Sequence, residues 1–186
     1  TLLAHLEKIV QYNVQSSEKE KFDGVMLDIE PYISDSWKEN PEEYMDRYIS
    51  CMKKGYKFAQ KNHLRTAICI PRHYDNQGLT SGLEELIKET CDEVAVMNYS
   101  CGNEIEAIRT EAALSEKYGK ELHCILEFQE VGKHGLTENK TYRNKGIDNA
   151  KETWEKLQKE YKNINVTRDY HWSRPVREML EEKNAD

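Results

Sequence analysis

The chain has 186 residues, of which 27 are Lys or Arg and 34 are Asp or Glu, so its formal net charge is -7 at pH 7. Nucleic-acid-binding proteins gather a basic surplus on one face, and this acidic balance argues against a nucleic-acid partner. No apolar run approaches the roughly 18 residues that a membrane span requires, so we expect no membrane partner either. The 11 Tyr, 3 Trp and 3 Phe residues supply large side chains for a core. We therefore expect a single folded domain over residues 1–186.

The cysteine pattern favours free thiols over disulfides or a metal site. The cysteines are odd in number, widely spaced and without any Cys-x-x-Cys pair. They are Cys51, Cys69, Cys91, Cys101 and Cys124. Cys69 and Cys124 fall inside strand-like runs, where we expect them to be small buried apolar residues. This usage favours a reducing, cytoplasmic compartment.

Helical and strand-like segments alternate along the chain. Apolar residues at helical spacing predict a first helix over residues 1–13, and Asn40-Pro41 predicts the cap and first turn of a long helix over residues 41–62. The remaining predicted helices cover residues 83–90, 103–118, 144–161 and 175–183. Strand-like runs cover residues 24–29, 65–70, 93–98, 121–128 and 164–170. This alternation predicts right-handed crossovers and a parallel sheet of five strands.

The turns after the predicted strands narrow the choice of α/β fold. None of them is glycine-rich, so the sequence predicts neither a P-loop nor a dinucleotide-binding turn. A complete (β/α)8 barrel takes about 250 residues, and five of its eight units take roughly 155. We therefore expect an α/β fold that is the C-terminal portion, about strands 4–8, of a TIM barrel without the first βα units. Its open sheet edges would require self-association or a missing N-terminal segment.

The first strand carries two acids on one face. Strand alternation places Val25 and Leu27 on one side and Met26, Asp28 and Glu30 on the other. The acids come last, at the end of the strand where barrel enzymes hold their catalytic groups. Two residues of strand separate their Cα atoms by roughly 6.6 Å, close enough for the two ionisations to influence each other. The pair is therefore a candidate catalytic centre, and the alternative is two acids exposed at a strand end.

These acids resemble the signature of a known enzyme family. Asp23-Gly24-x-x-x-Asp28-x-Glu30 is similar to the DGxDxDxE motif on the fourth strand of glycoside hydrolase family 18, the chitinase-like and endo-β-N-acetylglucosaminidase-like barrels. Three acids match by position, and Met26 stands where the family has the middle Asp. The turn that follows is closer to bacterial relatives of the family than to its proven chitinases.

Two later segments extend the resemblance over essentially the whole chain. Met97-Asn98-Tyr99 resembles the MxYD at the end of the family's sixth strand, with Ser100 in place of the Asp. Tyr170-His171-Trp172 follows the last predicted strand, where the family's eighth strand often ends in an aromatic residue. The resemblance implies that Met97 and Tyr170 contact the substrate.

The same resemblance implies a mechanism. In this family the 2-acetamido oxygen of the substrate attacks its own anomeric carbon, and the enzyme supplies no carboxylate nucleophile. Glu30 would protonate the leaving oxygen, and Asp28 would orient the acetamide and stabilise the oxazolinium. Tyr99 would donate a hydrogen bond to the acetamide, and Trp172 would stack beneath the sugar. The implied activity is retaining hydrolysis of glycans that contain N-acetylglucosamine, with a carbohydrate partner and no cofactor.

Other side chains fall near the same end of the predicted sheet. By strand alternation Glu127 reaches this end, where it would bind substrate or form a salt bridge with Arg72 or Arg168. Tyr32 and Trp37 lie in the loop after the acidic strand, and they line the cleft or pack on neighbouring loops. The polar loop over residues 129–143 is long enough to act as a lid.

Two other functions remain open at this stage. The first is a non-catalytic carbohydrate-binding barrel, in which Met26 and Ser100 replace two acids of the family motifs and catalytic activity has been lost. The second is a metal site, in which Asp28, Glu30 and Glu127 converge with a histidine such as His73 or His171. No residue pair has metal-ligand spacing such as HExxH, so we expect no metal. The family resemblance implies an extracellular protein, whereas the cysteine usage favours the cytoplasm.

Overall fold

A computed structural model describes residues 1–185, which divide into two compact units, Thr1–Val94 and the chain from Ala95 onward. Five strands form a sheet in the order β1-β2-β3-β4-β5. They are β1 (Gly24–Asp28), β2 (Arg65–Pro71), β3 (Glu93–Met97), β4 (Glu121–Glu127) and β5 (Val166–His171). The pairs β1–β2 and β4–β5 are parallel. The predicted α/β class and its five-stranded parallel sheet are confirmed.

Eight α-helices accompany these strands within the described residues. They are α1 (Leu2–Gln15), α2 (Asp35–Glu39), α3 (Pro41–Lys61), α4 (Thr80–Thr90), α5 (Glu104–Ala107), α6 (Arg109–Tyr118), α7 (Ile147–Glu160) and α8 (Ser173–Ala185). The single helix predicted over residues 103–118 is wrong, because the backbone leaves helical geometry at Ile108, with φ -125° and ψ 19°. The short helix α2 was not predicted.

The first strand ends earlier than the sequence pattern suggests. β1 stops at Asp28, and Glu30 adopts φ -110° and ψ 75° just before a 3-10 turn over Pro31–Ile33. Pro31 has no backbone N–H to donate to a strand ladder, and its ring restricts the residue before it. Glu30 therefore sits in the turn that follows β1 rather than in the strand itself.

Helix α3 gives the first unit a buried apolar face. Met45, Ile49 and Met52 are all buried along it, and α3 contacts both α1 and α4. Gly55 lies on the same helix where a Cβ atom would approach Leu2 Cδ2 to 2.6 Å. The glycine thus allows α1 and α3 to pack closely at this point.

The start of α3 depends on Asn40. Its Oδ1 accepts from the Glu43 backbone N at 3.3 Å, and its Nδ2 donates to Glu43 Oε2 at 2.9 Å. Asn40→Ala removes both bonds and should lower the free energy of unfolding by about 1 kcal/mol, as expected for a lost N-cap. Urea denaturation checks this result. Asn40→Ser keeps a capping oxygen and should recover most of the loss, and equal destabilisation by both variants would contradict the capping role.

In the second unit, Trp154 joins α7 to β4. The indole is 1% exposed, and its Nε1 donates to the Cys124 carbonyl at 3.0 Å. Tyr170 approaches it edge-on, with ring centroids 5.0 Å apart, and Phe128 lies at 6.4 Å. These contacts bury one face of β4 and β5 beneath the helix.

Cys69 and Cys124 are buried in strands, as predicted, and none of the five cysteines joins another in a disulfide within residues 1–185. Among the same residues, none of the helices combines the length and apolar character needed to cross a bilayer.

Candidate functional site

The acidic end of β1 is the first group of candidate residues. Met26 and Asp28 are exposed, whereas Val25 and Leu27, which alternate with them, are half-buried, as expected for a strand with two different faces. Asp28 is the last residue of β1, and the half-buried Glu30 follows it in the turn. Asp28 therefore lies at the carboxyl end of the strand, and Glu30 lies just beyond it in the turn.

The turn after β1 provides Glu30 with a hydrogen-bond donor. The Tyr32 hydroxyl donates to Glu30 Oε1. Burial, followed by the hydrogen bond to Glu30 and its negative charge, raises the pKa of Tyr32 well above its usual range, so the hydroxyl keeps its proton at neutral pH. Tyr32 thus acts as a hydrogen-bond donor that fixes the position of the Glu30 side chain.

Aromatic rings surround this turn within the first unit. Tyr32 approaches His73 and Tyr74 edge-on, with ring centroids 5.3 and 6.1 Å apart. Trp37, in α2, is buried with its ring 5.6 Å from that of Tyr74, so it packs against the segment after β2 rather than lining an open cleft. Burial and then the charge of Arg72 lower the pKa of His73, which favours a neutral imidazole beside Tyr32.

Two tyrosine hydroxyls near this group are buried without a hydrogen bond to any described residue. They belong to Tyr48 and Tyr74. Burial raises the pKa of both hydroxyls, and the charge of Glu30 raises that of Tyr74 further. An unsatisfied buried hydroxyl costs roughly 1–3 kcal/mol, so these groups are available to bind water or a polar ligand atom.

The second group of candidate residues lies where β4 and β5 end. Glu127 and His171 are partners in the parallel register, and Glu127 Oε2 lies 2.7 Å from His171 Nδ1. Glu127 Oε1 accepts from the backbone N atoms of Phe128 and Gln129, at 2.8 and 2.7 Å. The Gln129 side chain adds a bond to Oε2 at 3.2 Å. The partner of Glu127 in this unit is thus a histidine, whereas the sequence suggested an arginine.

These donors control the charge of Glu127, which is only 2% exposed. Burial alone raises its pKa, but the hydrogen bonds from His171 and Gln129 and the charge of His171 outweigh it and hold the pKa below the usual value. The carboxylate is therefore ionised at neutral pH. Glu127 and His171 together offer two metal-ligand atoms, fewer than the three protein ligands typical of a catalytic zinc site.

Because the pKa of Glu127 is lowered, the free energy of unfolding should fall at acid pH. A carboxyl group whose pKa is lower in the folded than in the unfolded protein stabilises the folded state. This stabilisation is fully present at pH values above the unfolded-state pKa of about 4.3, and it is lost as the pH falls through the folded-state pKa. Glu127→Gln should therefore be less stable than the parent protein at pH 7, with a difference that shrinks below about pH 4. Urea unfolding over a pH series measures it. A constant difference at every pH would refute the assignment.

The remaining candidates in the second unit divide between two faces. Tyr99 lies in the loop after β3, with its ring centroid 5.7 Å from that of His171. Tyr170 instead packs on Trp154, because neighbouring residues of a strand point to opposite faces. Tyr170 is thus not brought together with Glu127 and Tyr99.

Trp172 and Met97 complete the set of predicted residues. Trp172 is 46% exposed and lines a cavity of about 140 Å³ together with Gln129 and Arg143. Met97, the last residue of β3, is half-buried. Within the first unit the structure thus groups Glu30 with Tyr32, and within the second it groups Glu127 with His171 and Tyr99.

Some residues of these groups were not predicted. Gln129 donates a hydrogen bond to Glu127 from a loop, and the buried ring of Tyr74 contacts that of Tyr32. Neither residue has a sequence signal that distinguishes it from other loop residues. His171 was noted only as a possible metal ligand. Its partnership with Glu127 follows from the β4–β5 register, which both residues share as the last pair.

Comparison of the chain with protein-family models, with curated proteins and with solved structures finds no match in any of the three.

Proposed function

We propose that this chain belongs to a glycoside hydrolase that acts on glycans containing N-acetylglucosamine, by substrate-assisted hydrolysis with retention. The proposal includes the barrel: the five strands correspond to about strands 4–8 of a (β/α)8 barrel. The sequential strand order supports it, since a singly wound barrel adds each strand beside the previous one. A doubly wound sheet instead reverses its strand order at a switch point.

The observation that carries the proposal is the pairing of Glu30 with Tyr32 just beyond the carboxyl end of β1. A general acid must be held within hydrogen-bond reach of the leaving oxygen. Glu30 is the carboxyl group in this proposal, and the hydrogen bond from Tyr32 fixes its position. The exposed Asp28 lies two residues earlier, where it is accessible to a substrate acetamide.

The other proposed roles follow the resemblance of the motifs. Tyr99 donates to the acetamide, and the half-exposed Trp172 offers an aromatic face on which a sugar ring stacks. The ionised Glu127, held by His171, accepts hydrogen bonds from sugar hydroxyls. In this scheme Asp28 stabilises the positive oxazolinium, and the leaving oxygen takes the proton of Glu30.

A second candidate function is a non-catalytic carbohydrate-binding protein. One observation favours it: Met26 is exposed on the same strand face as Asp28, at the position where the family motif carries another acid. A thioether cannot exchange a proton with Asp28, so the charge relay of the family motif is interrupted there. Sugar binding would persist through the aromatic and polar side chains.

Incubation of the full chain with a β-linked N-acetylglucosamine tetramer separates the two functions. Shorter products detected by chromatography support the hydrolase. Saturable binding in a calorimeter without products supports the carbohydrate-binding protein instead. Absence of both products and binding would contradict both functions.

A further inference from the structure

The segment after β2 brings aromatic side chains to the turn that contains Glu30. β1 and β2 are parallel neighbours, and Asp28 and Cys69 are partners near the ends of the two strands. Parallel strands end at the same edge of a sheet, so residues that follow β2 can contact the turn that follows β1. His73 and Tyr74 are two of these residues.

The Tyr32 ring contacts both of these aromatic rings in a nearly perpendicular orientation. Its centroid lies 5.3 Å from that of His73 and 6.1 Å from that of Tyr74, and the ring planes meet at 84° and 77°. Edge-to-face pairs of this kind are favourable beyond the area that they bury. The hydroxyl of the same Tyr32 side chain donates to Glu30 Oε1. The orientation of the Tyr32 ring therefore determines where its hydroxyl meets the acid.

Tyr74 forms a rigid support for this arrangement. Its ring is fully buried and lies 5.6 Å from that of Trp37. Its backbone oxygen accepts from the backbone N atoms of Gln77 and Leu79, at 3.3 and 3.1 Å, where the chain forms a 3-10 turn after β2. Because Tyr74 is held by its ring and by its backbone, its contact with Tyr32 comes from a fixed position.

His73 differs from Tyr74 because it is half-buried and contributes only its ring. Burial and then the charge of Arg72 lower the pKa of His73, so the imidazole is neutral at pH 7. Within the part of the chain that the structure describes, the imidazole forms neither a hydrogen bond nor an ion pair. Its contribution to the turn after β1 is therefore the packing of a flat ring against Tyr32.

We propose that His73 is a positioning residue of the proposed hydrolase: its ring, packed against Tyr32, keeps the Tyr32 hydroxyl on Glu30. The inference rests on the proposed function, because it assigns His73 to the same general acid. His73 acts through Tyr32 and does not itself touch the substrate.

Steady-state kinetics with a β-linked N-acetylglucosamine tetramer tests this role. His73→Ala should lower kcat about threefold to tenfold with KM largely unchanged, the effect of weakening one hydrogen bond to the acid. His73→Phe restores a flat ring and should recover most of the loss. If His73→Ala loses its circular dichroism, His73→Leu replaces it, because leucine fills the space without a flat ring.

His5→Ala is the matched control, because His5 is an exposed histidine of α1 in the same unit. This variant should leave kcat unchanged. Full kcat in a folded His73→Ala variant, an equal loss in His5→Ala, or no recovery in His73→Phe would overturn the inference.

A double-mutant cycle separates positioning from a general structural effect. Tyr32→Phe lacks the hydroxyl that His73 is proposed to position, so adding His73→Ala to it should lower kcat by no more than about a further twofold. Additive losses would overturn the inference, because His73 would then act independently of that hydroxyl.

The exchange of the Tyr32 hydroxyl hydrogen with water provides a readout that does not require activity. Carbon-13 NMR of protein labelled at tyrosine Cζ measures this exchange rate, and Tyr32→Phe identifies the signal. His73→Ala should raise the rate at least about threefold, because the hydrogen bond to Glu30 opens more often, whereas His73→Phe should keep it near the parent value. An unchanged rate in His73→Ala overturns the inference, whereas absence of turnover by the parent protein contradicts the hydrolase itself.

Discussion

Glu30→Gln is expected to lower kcat for a β-linked N-acetylglucosamine tetramer by about 10²- to 10⁴-fold, the contribution of a positioned general acid. The carboxyl group lies just beyond the end of β1, where Tyr32 donates to its Oε1. Glutamine keeps the size of the side chain and an acceptor for Tyr32, but it has no acidic proton. The loss should therefore appear in kcat, with substrate binding largely retained. Steady-state kinetics measures both.

Glu39→Gln is the matched control for this prediction. Glu39 is an exposed carboxylate at the end of α2, and it should not affect kcat. Tyr32→Phe removes the donor to Glu30 and should cost about tenfold or less, since one hydrogen bond is lost while the acid remains. Retention of kcat in a folded Glu30→Gln variant, or an equal loss in Glu39→Gln, would contradict the role of Glu30.

Trp154→Ala is expected to destabilise the protein by about 3–5 kcal/mol, the usual cost of deleting a large buried aromatic side chain. The indole is almost fully buried, and its ring lies near those of Tyr170 and Phe128. Its Nε1 also donates to the Cys124 carbonyl, which would lose that partner. The substitution leaves a cavity under β4 and β5 in addition to this lost bond. Urea unfolding followed by circular dichroism measures the effect.

Trp172→Ala serves as the control for the buried tryptophan. Trp172 is nearly half exposed, so its loss should change the free energy of unfolding by roughly 0.5 kcal/mol or less. The same variant should weaken glycan binding, because it removes the proposed stacking surface. Comparable destabilisation by the two tryptophan variants would contradict the role of Trp154 in joining α7 to β4.

Local patterns in the sequence predicted most of the fold. β2 and β3 are short apolar runs that lie buried in the sheet, and α3 begins at the predicted cap, Asn40. The break at Ile108 was not predictable, because the residues on both sides of it have helical periodicity. Pro31 indicated that β1 ends near this point, yet the alternation of acids runs as far as Glu30 and suggested a longer strand than Gly24–Asp28.

The candidate site was predictable only where a single short segment carries it. Asp28 and Glu30 could be placed near one strand end because only Ile29 separates them, although Glu30 lies in the turn and not in β1. The partnership of Glu127 with His171 needs the register of two strands, which the sequence does not encode locally. The contact of Tyr170 with Trp154 depends on which face of β5 meets the helix, and a half-polar edge strand has no pattern that reveals this.

The requirement for the substrate's acetamide group tests the proposed chemistry most directly. The measurement compares hydrolysis of a 4-methylumbelliferyl N-acetyl-β-glucosaminide oligomer with that of the matching β-glucoside, in which a hydroxyl replaces the acetamide. Fluorophore release is expected from the N-acetyl substrate alone, because the acetamide oxygen is the nucleophile in the proposed reaction. Release from both substrates at similar rates, or from neither, would contradict it.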